Sequence, residues 1–163
     1  MSTNETARLL AAPDVSQPLG IRDRALLEVL YATAVRVGEI ERAALQDLDL
    51  GAETMLLRFT KGGQPRVVPL GRNATYWLQC YVDEVRPVLV RCRPFEPALF
   101  TVRGGRALRQ YHIRSLIKLY CERAGIRKAV TPHLLRHYVS RSTIASRLTK
   151  PFTVRQTRQI DSI

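Results

Sequence analysis

The sequence predicts a mainly α-helical domain with one small antiparallel β-sheet, an α+β arrangement. Three observations predict it. Leu26, Leu27, Leu30 and Ala34 recur at helical spacing. Two short β-type segments flank a Gly62-Gly63 pair. A long apolar stripe runs from Leu108 to Tyr120 at helical intervals and stops at Gly125.

Residues 1–17 read as an N-terminal lead-in, because Pro13 and Pro18 discourage a long helix there. "RDRALLEVLYAT" then forms a helix, with a break near Thr33, and "RVGEIERAAL" a second, shorter one. "QDLDL" is a turn into the strand "TMLLRF", residues 54–59. "TKGGQP" supplies a hairpin turn, and "RVVPL" returns as an edge strand, because Pro69 has no N–H to offer a central ladder. Residues 72–90 carry Trp77, Leu78, Tyr81, Val82 and Val85 at helical spacing, and Pro94 and Pro97 mark a loop. "TPHLLRHYVSR" opens one more helix, with Thr131 as N-cap and Pro132 at the first helical position. The predicted organisation is a lead-in, a domain over residues 18–145, and a basic tail over 146–163.

A chain of 163 residues has length for one domain with a real core, and its 45% hydrophobic content is that of a globular protein. No apolar run approaches the roughly 20 residues of a membrane span. The N-terminus lacks the basic start and apolar block of a signal peptide. Cys80, Cys92 and Cys121 are odd in number and widely spaced, giving neither a zinc pattern nor a disulfide framework; a cytoplasmic setting is the simpler expectation.

Charge is the informative quantity. Lys and Arg total 26 against 14 Asp and Glu, a net +12, which points to a polyanionic partner such as nucleic acid. A solvated basic surface is the plainer alternative. The region from Arg123 onward is especially rich in arginine, whose planar fork suits phosphate.

Candidate chemistry lies at a few places. His133 and Arg136, three apart, share one helix face, with His137 beside them, although a short H-x-x-R match alone is weak. Lys61 sits at a hairpin tip, where a lysine can donate a proton or neutralise a phosphate; most turn lysines are simply solvated. Arg36 falls between two apolar helices, a poor place for an unpaired charge, and Glu39 is three residues on, within reach of its side chain.

"RDRALLEVLYATAVRVGEIERAALQDLDL", "TKGGQPRVVPLG" and "TPHLLRHY", in that order, resemble the catalytic domain of tyrosine recombinases, most closely the Xer-type, integron and phage integrases. The resemblance runs from about residue 18 to about residue 140. It implies site-specific strand exchange on double-stranded DNA, with a tyrosine forming a 3′-phosphotyrosyl link, and other recombinase protomers as further partners. Carried over by position, Arg36 resembles the first arginine, Glu39 its acidic companion, Lys61 the hairpin general acid, and His133 and Arg136 the His-x-x-Arg pair. Two guanidiniums and a lysine would meet the charge that gathers on the non-bridging oxygens. No cofactor or metal is expected, as no carboxylate cluster stands ready to hold one.

The tail departs from the family pattern. "RSTIASRLTKPFTVRQTRQIDSI" has no Leu-Gly-His and no tyrosine. Tyr138 is two residues from Arg136 and points off its helix face. The expectation is therefore a truncated or altered catalytic domain without its nucleophile, inactive alone. Two alternatives stand beside it: a non-catalytic DNA-binding module or accessory partner of a full-length recombinase, and an unrelated basic helical protein that binds RNA.

Overall fold

The structure is a computed structural model and describes residues 1–59 and 63–127. Helix α1 spans Thr3–Ala11, α2 Pro18–Thr33 and α3 Val37–Glu41. A single 3₁₀ turn, Leu45–Asp47, leads into strand β1 (Leu48–Asp49), followed by β2 (Thr54–Leu57) and β3 (Arg66–Pro69). Helix α4 (Gly71–Cys80) runs through a π turn (Tyr81–Val85) into α5 (Arg86–Leu89), and α6 is Gln110–Arg123. The mainly helical α+β expectation holds.

The lead-in is more structured than expected. Ser2 and Glu5 cap α1 in a box: Glu5 N–H donates to Ser2 Oγ at 3.1 Å, and Ser2 N–H donates to Glu5 Oε2 at 2.6 Å. Pro13 stops the helix only after Ala11, and Leu9 is buried in the core. The turn into α2 brings Gly20 against Asp14, where a Cβ would lie 1.8 Å from the Asp14 carbonyl oxygen.

α2 is the central element. Ala25, Leu26, Leu27 and Val29 are each at most 1% exposed, and the helix is buried on most of its surface and packs against α4. Its charged residues are paired. Asp23 Oδ1 accepts from Arg22 Nε at 2.8 Å, and Asp23 Oδ2 accepts from Tyr120 Oη of α6 at 2.7 Å. Burial pushes the Asp23 carboxyl above its ordinary range, against the pull of Arg22 and Tyr120. Glu28 is likewise raised by burial, opposed by Arg24, which lies over the Trp77 ring.

The sheet has the order β1-β2-β3, all antiparallel, so Pro69 does lie in an edge strand. "QDLDL", expected as a turn, contributes Leu48 and Asp49 to the sheet as β1, Leu48 opposite Met55. Met55, Leu57 and Val68 face the core while Val67 is exposed, the period-two pattern of a half-buried sheet. The predicted helix over 72–90 is present, with a π turn that sets Tyr81 wholly inside. Its hydroxyl donates to the Leu99 carbonyl at 3.1 Å and accepts from Thr101 N–H at 3.1 Å. Gly125, at φ +66°, closes α6 as predicted.

Candidate functional site

The break predicted near Thr33 is a sharp corner. Ala34 takes the left-handed conformation at φ 50°, closing α2, and Val35 is buried. The chain turns out at Arg36, whose extended backbone (φ −76°, ψ 149°) makes it the N-cap of α3. Glu39, at the third position of α3, reaches back, and its Oε2 accepts the Arg36 backbone N–H at 2.8 Å. Arg36 is thereby fixed at a helix end with its side chain 45% exposed.

The Glu39 side chain is only 2% exposed and is a hub. Arg36 Nη1 donates to Oε1 at 3.2 Å, as the spacing predicted. Arg66, the first residue of β3, donates from Nη1 to Oε1 at 3.0 Å and from Nη2 to Oε2 at 2.9 Å. Burial works to raise the Glu39 pKa, but the Arg66 hydrogen bonds, the Arg36 backbone N–H, the Arg66 positive charge and the Arg36 side-chain hydrogen bond outweigh it and hold the carboxyl below its ordinary range. Arg66 was not singled out from sequence. Its one signal there is its place at the start of the returning strand.

Lys61, His133 and Arg136, with His137, Tyr138 and the predicted helix of "TPHLLRHYVSR", lie outside the described residues. Of the predicted site residues, the structure brings Arg36 and Glu39 together. The hairpin that carries Lys61 is anchored at its foot, Leu57 opposite Arg66 and Arg66 on Glu39.

A second basic feature adjoins α3. Gln110 Nε2, at the start of α6, donates to Glu41 Oε2 at 2.8 Å, and Arg109 Nη1 lies 3.6 Å from Glu41 Oε1. From Arg109 the surface runs into a cleft of about 850 Å³ lined by Arg93, Arg103, Arg106 and Glu96 among others. Among the described residues no three His, Cys, Asp or Glu side chains form a metal-ligand group, and no helix is long and apolar enough to cross a membrane.

The described part of the site is thus a small sheet set beside a helix end, with two partly exposed guanidiniums on one buried carboxylate. Residues 1–149 match the model of the phage integrase family. Over 137 residues, 84% of this chain and 39% of the relative, the sequence is 40% identical to tyrosine recombinase XerC 2 of Ralstonia nicotianae. Over 138 residues it is 41% identical to tyrosine recombinase XerD of Lacticaseibacillus casei, covering 46% of that protein. The crystal structure of XerA recombinase superposes with a TM-score of 0.74 at 29% identity, over 88% of this chain and 50% of that one. The chain belongs to the phage integrase family, among the tyrosine recombinases. It spans less than half the length of these two sequence relatives.

Proposed function

We propose that the chain is a recombinase-type domain that binds double-stranded DNA and meets one phosphodiester with Arg36, Lys61, His133 and Arg136. Arg36 and Arg136 grip the non-bridging oxygens, Lys61 gives a proton to the leaving 5′-oxygen, and His133 supports the same charge. The attacking oxygen is a tyrosine hydroxyl, which forms the 3′-phosphotyrosyl bond as the 5′-oxygen leaves. Residues 139–163 contain no tyrosine, so in this reading the attacking hydroxyl does not come from that stretch.

The observation that carries this reading is Arg36 itself, backbone-locked by Glu39 and left with its guanidinium half in solvent. A suicide DNA substrate run on denaturing gels tests the reading. The expected result is no protein-linked DNA band. A band that disappears in Tyr138→Phe would overturn the assignment of a missing nucleophile.

A second reading, an accessory DNA-binding partner of a full-length recombinase, is favoured by the absence of a tyrosine from residues 139–163. Mixing the chain with a complete Xer-type recombinase separates the two. Strand cleavage opposite this chain's Arg36, lost in Arg36→Met, supports the phosphate-site reading; cleavage indifferent to Arg36 supports the accessory one.

A further inference from the structure

Glu39 carries one negative charge between two guanidiniums, and their geometry differs. Arg66 places one N–H on each carboxylate oxygen, at 2.9 and 3.0 Å, the paired fork that guanidinium and carboxylate favour. The Arg36 side chain makes one longer contact, 3.2 Å, and the residue is held chiefly by its backbone N–H at 2.8 Å. A carboxylate this buried demands a full counter-ion, because an unpaired charge away from water is costly. Take Arg66 away, and among the described residues the cation left paired with Glu39 is Arg36.

We propose that Arg66 is a positioning residue: it serves as the counter-ion of Glu39 and so leaves the Arg36 guanidinium free for a phosphate. The inference rests on the reading of Arg36 as the phosphate-facing arginine. Arg66 makes no phosphate contact itself. One carboxylate and two guanidiniums leave a single net positive charge at the end of α3, and that charge is presented by Arg36.

The test uses the full chain and a labelled random-sequence duplex titrated with salt. Each phosphate contact contributes about 0.9 to the slope of log affinity against log salt. Arg36→Met is expected to lower the slope by about one contact's worth, and Arg66→Met by the same amount, because Glu39 then captures Arg36. The double variant is expected to lower it no further, and Glu39→Gln combined with Arg66→Met to restore the wild-type slope. A double variant that loses two contacts' worth, with no restoration by Glu39→Gln, would show Arg66 touching DNA itself and overturn the proposal. So would an unchanged slope in Arg66→Met with only a lowered Tm. Should Arg66→Met not fold, the Glu39→Gln/Arg66→Met variant, which buries no unpaired charge, decides by its slope alone: the wild-type slope supports the proposal and a reduced slope refutes it. Melting without DNA supplies a second readout. Arg66→Met is expected to lower Tm more than Arg36→Met does, and the reverse order would refute the counter-ion assignment. A wild-type chain whose affinity ignores salt would count against the proposed function, and the melting comparison would then judge this inference by itself.

Discussion

Glu39 makes the stability of the α3 corner depend on pH. Its carboxyl titrates below its ordinary range in the folded chain, so its stabilising contribution is fully present above the unfolded value, about 4.3. That contribution is lost as the pH falls through the depressed folded value. The stability advantage of the wild type over Glu39→Gln is expected to be full at neutral pH and to shrink steadily in acid, as urea unfolding at successive pH values would show. Asp23 and Glu28 act in the opposite sense: raised by burial, they cost stability when ionised and relieve it on protonation. Ala34 offers a test of backbone strain. At φ 50° a Cβ is disfavoured, so Ala34→Gly is expected to stabilise by up to about 1 kcal/mol, read as a rise in Tm. At this scale the sequence showed Arg36 and Glu39, because three-residue spacing on a helix is local. It hid Arg66, which reaches Glu39 across 27 positions and only through the register of β3.

Among the elements, α5 pins the loop that the paired prolines mark. The Arg86 guanidinium, 6% exposed, donates to the carbonyls of Glu96 at 2.6 Å, Ala98 at 2.7 Å and Leu99 at 3.2 Å. Arg86→Met strands buried carbonyl oxygens and is expected to cost about 1–3 kcal/mol, seen as a lower urea midpoint at unchanged m. The α1–α2 turn is held differently, by contact. A methyl at Gly20 would collide with backbone, so Gly20→Ala is expected to cost about 1–3 kcal/mol and to loosen α1, detectable as a lower Tm and faster proteolysis near residue 14. Legibility here followed length. The apolar run of α2 and the stripe of α6 were plain, since long periodic segments outvote local exceptions. The two-residue β1 was not, because two residues carry no period; only its partner β2 makes it a strand. α1 was passed over on account of Pro13, although its Ser2-to-Glu5 capping box stood in the sequence.

For the whole molecule, a net +12 on 163 residues predicts DNA affinity that falls steeply with salt, by several contacts' worth of counter-ion release. Fluorescence anisotropy with a short duplex from low to physiological salt measures it, and a flat response would remove phosphate from the interface. The family was legible because three local motifs kept their order along the chain. The convergence of His133 and Arg136 on Arg36, which the same motifs lead one to expect, falls outside the described residues. One long-range tie has a consequence for how the molecule breathes. The Tyr120–Asp23 hydrogen bond joins residues 97 apart, and Gln110 holds the other end of α6 to α3. Lifting α6 alone would leave a buried carboxylate without its hydroxyl donor, so the cheapest opening frees α6 and the first turns of α2 together. The amides of α6 and of the first turns of α2 are expected to exchange with deuterium at one shared rate, and Tyr120→Phe to split it, letting α6 exchange ahead of those turns.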